Sequence, residues 1–155
     1  ADYFEVLGRG LPDNCDVFWT GAKVVSGTYT EADASQVSQL LNRRPVLWDN
    51  YPVNDGKVIC NHLHLRPFHN RPREISQWYK AHIVNPMNQA ELSKLVLQSL
   101  TTLYSQPPPY DVDAAFTQDM NMLKGDFHLH RLSYFVVNLK EVRSKMRKAM
   151  IFSYV

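Results

Sequence analysis

The sequence lacks the features that mark several specialised classes of protein. It contains only two cysteines, Cys15 and Cys60, without a CxxC spacing, which excludes a disulfide framework or a zinc module; we expect both to behave as small apolar residues. It has no run of about 18 uninterrupted apolar residues, so we expect no membrane span. The net charge of +2 gives no reason to expect a nucleic-acid partner. What remains is the composition of an ordinary globular protein, with 45% hydrophobic residues among 155.

The N-terminal sequence also lacks the marks of a translation start. ADYFEVLGRGLPDN has no initiating Met and no basic-then-apolar signal-peptide layout, and its first residues are typical of the end of a helix. We therefore expect further sequence upstream and interpret the chain as part of a larger protein.

Short apolar runs alternate with helical patterns along the first two thirds of the chain. Strands are predicted at 15–19, 45–48 and 81–84, each bounded by turn-forming residues. Helices are predicted from Thr30 to Asn42, at 73–80, and from a capping Asn88 to Leu103. This βαβαβα order predicts parallel strands with right-handed crossovers and ligands at the C-terminal strand ends.

The composition changes after Ser105. We predict an α/β part over residues 1–105, a stiff proline-rich linker over 106–110 and a helical segment over 111–155. The basic, amphipathic stretch at 138–152 fits either the solvated face of a helical bundle or a surface for a membrane or partner helix.

Polar and aromatic side chains follow each predicted strand. Amides and carboxylates form directional hydrogen bonds with hydroxyls, and an indole ring packs against the apolar face of a pyranose. Each residue alone also fits a structural role in a turn or a core, but their common place at strand ends predicts a sugar site. The candidates are Trp19, Thr20, Trp48, Asn50, Asp55 and Asn85.

Three sequence strings resemble motifs of glycoside hydrolase family 84, which includes protein O-GlcNAcases and bacterial N-acetyl-β-glucosaminidases. They are WTGAKVVS at 19–26, WDNYPVND at 48–55 and VNPMNQAELSK at 84–94. The three occur in the family's order and spacing, and the resemblance covers residues 1 to about 105.

The resemblance implies the last β/α units of a (β/α)8 TIM barrel, followed by a helical segment. It also implies a retaining hydrolase of terminal β-linked N-acetylglucosamine, in which the substrate's acetamido carbonyl is the nucleophile and forms an oxazoline. Two adjacent aspartates support that chemistry. The sequence has no Asp-Asp pair, so this chain holds no catalytic residue of that kind. The pair would lie upstream, in a barrel half that the activity requires.

Positioning roles remain for five residues of this chain. By resemblance, Asp55 accepts hydrogen bonds from the sugar's 4- and 6-hydroxyls, and Asn85 binds a neighbouring ring hydroxyl. Asn50 supports the acetamido group and the catalytic carboxylates, while Trp48 and Val24 line the acetamido pocket. The implied partner is a glycan or glycoprotein carrying N-acetylglucosamine, with no cofactor, metal or nucleic acid.

Three other interpretations fit the residues. The chain could be a non-catalytic module that binds N-acetylglucosamine, or an inactive fragment, since the aspartate pair is missing. Alternatively, His62, His64 and His69 could ligate a metal in a metal-dependent hydrolase if a carboxylate or a further histidine converged on them. His128 and His130 repeat that spacing in the tail.

Overall fold

Three parallel strands form the centre of the fold. A computed structural model describes residues 2–57, 59–105, 109 and 111–125. The strands β1 (Phe18–Trp19), β2 (Val46–Asp49) and β3 (Ala81–Val84) pair in the order β1-β2-β3. The helices are α1 (Tyr3–Gly10), α2 (Glu31–Leu41), α3 (Ile75–Trp78), α4 (Ala90–Ser105) and α5 (Val112–Gly125). The predicted alternation of strands and helices is therefore confirmed.

The first strand is shorter than predicted because the side chain of Arg43 forms hydrogen bonds with the backbone carbonyls before it. The Arg43 guanidinium donates to the carbonyls of Pro12 and Cys15 at 2.8 and 2.7 Å, and also to those of Gly8 and Leu11. The carbonyl of Cys15 therefore bonds to a side chain and not to β2. Strand-like pairing begins only at Val17, whose carbonyl accepts from Val46 N–H at 2.8 Å.

The ends of the helices follow the predictions at α2 but not at α4. The hydroxyl of Thr30 accepts from Asp33 N–H, and Asn42 ends α2 in the left-handed region at φ 52°. Helix α4 begins at Ala90, so Asn88 is not its cap. The Asn88 N–H donates instead to the side chain of Asn54.

The two faces of the sheet differ in what covers them. The register places Trp19, Leu47 and His82 side by side on one face, and alternation puts Asp49 and Val84 on it as well. Helices and loops cover this face with apolar clusters built around Tyr79, Leu41 and Phe68. The other face carries Phe18, Trp48 and Ile83 and is open: Phe18 is 55% exposed and Ile83 38%.

The described part of the C-terminal region is helical, as predicted. Helix α5 packs against α4, with Ala115 buried. Most of the predicted linker and residues 126–155, including the basic stretch and the two tail histidines, lie outside the described residues, so the proposed domain boundaries stay predictions. Among the helices described, none has the length and apolar character needed to cross a bilayer. Cys60 is exposed, so it does not pack as the small apolar residue that the sequence predicts.

Candidate functional site

The ends of β2 and β3 bring two asparagines together on the open face of the sheet. Trp48 pairs with Ile83 in the register, and the Asn85 N–H continues the ladder by donating to the Asp49 carbonyl at 2.9 Å. Because side chains alternate along a strand, Asn50 and Asn85 follow Trp48 and Ile83 on the same face. The side-chain amides of Asn85 and Asn50 are 3.1 Å apart, nitrogen to oxygen.

Asn50 is the centre of this hydrogen-bonded cluster. Its Oδ1 accepts from Trp48 Nε1 at 2.9 Å and from Asn85 Nδ2, while its Nδ2 donates to the Val24 carbonyl at 2.7 Å. The carbonyl acceptor and the two donors together fix which end of the amide is oxygen. Four of the five residues predicted to bind substrate are thus joined through a single side chain.

The loop that carries Val24 is shaped by its own polar residues. Ser26 Oγ accepts from Lys23 N–H and donates to the Lys23 carbonyl, which also accepts from Thr20. Gly21 turns the chain at φ 95°, in the left-handed region where a side chain would be strained. These contacts present Val24 to solvent, 75% exposed, beside Asn50.

Asp55, the fifth predicted residue, is exposed in the loop after β2. Among the described residues it makes no hydrogen bond or ion pair to Trp48, Asn50, Asn85 or Val24. Its neighbour Asn54 is buried and ties the loop down. Asn54 Nδ2 donates to the His62 carbonyl at 3.2 Å and to Gln89 Oε1 at 2.8 Å, and its Oδ1 accepts from Asn88 N–H at 3.1 Å.

Beneath the cluster, on the covered face, lies a buried ion pair. Arg71 Nε and Nη2 donate to the Asp49 carboxylate at 2.8 and 2.7 Å, a bidentate arrangement with side chains only 5% and 1% exposed. Arg71 also donates to the carbonyls of Ser26 and Gly27, at 3.3 and 3.0 Å. It therefore links the end of β2 to the loop that carries Val24.

The surroundings of Asp49 keep its carboxyl group ionised. Burial pushes the pKa of Asp49 upward, but hydrogen bonds from His82 and Arg71 and the charge of Arg71 outweigh it and hold the pKa below its usual range. His82 Nε2 lies 3.2 Å from the carboxylate and His82 Nδ1 lies 2.6 Å from the hydroxyl of Tyr104, so the imidazole bridges the two side chains. Burial and the nearby Asp49 charge raise the pKa of Tyr104 to about 12.

Sequence reasoning missed Asp49, Arg71 and Asn54. An aspartate inside an apolar strand signals a buried cation partner, because an unpaired buried carboxylate is costly. Arg71 could not be selected from the sequence, since it lies 22 positions away in an irregular segment. No feature of the sequence distinguishes Asn54 from the other polar residues of the loop.

The histidines do not form a metal site in the described part of the chain, where no group of three potential ligands converges. Instead, His64 stacks on Tyr51, with ring centroids 5.9 Å apart, and His69 is half-buried. Burial lowers the pKa of both imidazoles, with the neighbouring charge of His62 adding to the effect at His64 and that of Arg66 at His69.

The chain matches a family of known sequences over most of its length. A profile of the beta-N-acetylglucosaminidase family matches residues 1–137. The chain belongs to this family. This match confirms the resemblance inferred from the three strings. The members of the family are hydrolases that cleave glycosidic bonds.

Members of the family with names or structures support the assignment. The chain is 32% identical to the protein O-GlcNAcase of Rattus norvegicus over 104 residues, which are 67% of the chain and 11% of that protein. It superposes on a mutant of the Thermobaculum terrenum O-GlcNAc hydrolase with a TM-score of 0.76 and 35% identity, covering 88% of the chain and 29% of that structure. For CpGH84B the TM-score is 0.67 and the identity 28%, covering 81% and 22%. The chain thus spans a small part of the length of each relative.

Proposed function

We propose that this chain forms the last β/α units of a (β/α)8 barrel in a retaining N-acetyl-β-glucosaminidase, and that it positions a terminal β-linked N-acetylglucosamine. The observation that carries the proposal is the cluster of Trp48, Asn50, Asn85 and Val24 at the C-terminal ends of parallel strands. In barrels of this class, ligands bind at that end of the strands.

The chemistry of each side chain suits its role. After its three hydrogen bonds, the Asn50 amide still offers one N–H to an acetamido group, and the Asn85 amide keeps its oxygen and one N–H for a ring hydroxyl. The indole of Trp48 and the exposed side chain of Val24 give the apolar walls that an acetamido methyl requires. Asp55 is accessible and can accept hydrogen bonds from the 4- and 6-hydroxyls.

In the proposed reaction the substrate's acetamido oxygen attacks the anomeric carbon and forms an oxazoline as the glycosidic bond breaks. One aspartate orients the acetamido group, and the other protonates the leaving oxygen and then activates the water that opens the oxazoline. Both aspartates belong to the upstream half of the barrel. This chain contributes by holding the sugar where that attack is short and aligned.

The open face of the sheet supports the need for an upstream half. Phe18 and Ile83 are exposed there, and β1 and β3 are both sheet edges within the described residues. Further strands would close the barrel and cover this face. Exposed apolar area and strand edges favour aggregation, so we expect the chain alone to be poorly soluble; a highly stable monomer would count against the proposal.

The test is hydrolysis of a fluorogenic aryl N-acetyl-β-glucosaminide. Four proteins are compared: this chain alone, the chain preceded by the upstream half of the unsubstituted Thermobaculum terrenum enzyme (the joined protein), the joined protein with Asp55→Ala, and the joined protein with a control substitution. The exposed Asp13, in the turn before β1, gives a matched control, Asp13→Ala. We expect activity only in the joined protein, retained in the control and strongly reduced to a low, still measurable rate with Asp55→Ala. Activity in the chain alone would overturn the proposed mechanism.

The absence of an Asp-Asp pair from the sequence favours a second candidate, a module that binds N-acetylglucosamine without cleaving it. Calorimetry of the chain with the free sugar separates the two. The binding module is supported if the chain binds the sugar, the Asp55→Ala variant does not, and the joined protein is inactive. If neither the chain nor its Asp55→Ala variant gives a heat of binding, the binding module is excluded.

A further inference from the structure

Asn54 lies in the loop after β2, directly before Asp55. Its side chain is buried, with only 2% exposed, and it holds two segments of the chain together. We infer that Asn54 is a positioning residue that fixes Asp55 relative to Asn85, and thereby sets the enzyme's selectivity at carbon 4 of the sugar. The inference rests on the proposed function, in which Asp55 and Asn85 bind neighbouring hydroxyls of one ring.

Two of the three hydrogen bonds of Asn54 cross to the loop after β3, and the third stays within the loop after β2. Its Nδ2 donates to Gln89 Oε1 and its Oδ1 accepts from Asn88 N–H, which tie it to the loop after β3 that starts at Asn85. The second Nδ2 hydrogen reaches the His62 carbonyl, on the far side of the loop. The amide thus joins the two segments through one donor and its acceptor, and holds the loop after β2 in shape through its second donor.

Asp55 depends on this lock because it lacks a support of its own. It is exposed, is followed by Gly56, and makes no ion pair among the described residues. Asn85, in contrast, is held by Asn50. The separation between the two hydroxyl-binding groups is therefore set on the Asp55 side by the residue directly before it in the chain.

A fixed separation determines selectivity at carbon 4. Glucose- and galactose-configured sugars differ only in whether the 4-hydroxyl is equatorial or axial. A carboxylate held in one place accepts a hydrogen bond from the 4-hydroxyl of one epimer but not from that of the other. A mobile carboxylate adjusts to both epimers. Loosening the lock should therefore lower the rate with N-acetylglucosamine substrates more than the rate with N-acetylgalactosamine substrates.

The experiment measures kcat/KM of the joined protein with aryl β-glycosides of both sugars. Asn54→Leu removes all three bonds at similar size. Gln89→Leu removes only the acceptor on the other loop, at an exposed position, and Gln89→Glu retains an acceptor there as its matched control. We expect the ratio of the two kcat/KM values to fall about 10- to 100-fold for Asn54→Leu and by less for Gln89→Leu, with no change for Gln89→Glu.

The outcomes separate this inference from the proposed function. If Asp55→Ala lowers the ratio but Asn54→Leu and Gln89→Leu reduce both rates equally, Asn54 has only a structural role and the inference fails. If Asp55→Ala leaves the ratio unchanged, the assignment of Asp55 itself fails. Should Asn54→Leu not fold, the Gln89 pair decides: equal ratios for Gln89→Leu and Gln89→Glu overturn the inference.

Discussion

Replacing Arg71 by methionine should strongly destabilise the protein, because a buried carboxylate loses its main partner. The change removes two charge-assisted hydrogen bonds, at 2.8 and 2.7 Å, from a side chain that is 1% exposed. Asp49 keeps its contact with His82 but loses its only cationic guanidinium partner among the described residues, and the carbonyls of Ser26 and Gly27 lose a donor. Breaking a buried pair in this way costs about 3–5 kcal/mol of unfolding free energy.

Asp49→Asn should cost less. Arg71 keeps three carbonyl acceptors, and its guanidinium lies 5.1 Å from the ring centre of Tyr29. These contacts still stabilise the buried positive charge when the carboxylate is gone. The exposed Arg66 supplies the control, because Arg66→Met should change the free energy of unfolding by no more than about 0.5 kcal/mol.

Urea unfolding of the joined protein, followed by tryptophan fluorescence, measures these differences. The pKa of Asp49 is lowered in the folded state, so the contribution of its ionised form is fully present above about pH 4 and is lost as the pH falls through the lowered value. The cost of Arg71→Met should therefore be constant above that pH and shrink below it. An unfolding midpoint for Arg71→Met equal to that of Arg66→Met would refute the reasoning.

Three further predictions concern stability. Gly8→Ala should cost about 1–3 kcal/mol, because a Cβ there meets the Leu41 backbone at 2.6 Å; Gly10→Ala, with nothing within 4 Å, is its neutral control, and thermal unfolding compares the two. Arg43→Ala should cost about 2–4 kcal/mol, since it leaves carbonyls between α1 and β1 without their donor; an unchanged urea midpoint would show that water replaces the guanidinium. The pKa of His64 is lowered by burial, so the free energy of unfolding should decline as the pH falls below about 6.5. His64→Phe should flatten that decline; parallel pH curves for the two proteins would show that His64 is not its source.

Much of the fold could be predicted because its signals are local. Thr30 and Asn42 end α2 where the sequence places them, and β3 occupies the predicted residues. The errors came from long-range contacts. Arg43 draws the Cys15 carbonyl away from the sheet, and Asn54 occupies the N–H of Asn88. Neither partner is visible from sequence spacing.

The candidate site shows the same division. The residue types at the strand ends pointed to Trp48, Asn50 and Asn85, which the structure brings together, and their roles in binding remain predictions. The hydrogen bond from Asn50 to Val24 spans 26 positions and required the structure. The side chain of Asp49 points to the covered face, so its partner Arg71 could be found only after the strands and loops had been assembled.

The central claim is that the Asn50 cluster holds the substrate for chemistry performed by an upstream aspartate pair. Its most direct test is the kcat/KM of the joined protein with an aryl N-acetyl-β-glucosaminide, before and after Asn50→Ala. We predict a fall of at least about 100-fold in a variant that still unfolds cooperatively in urea. Unchanged activity in the folded variant would contradict the claim.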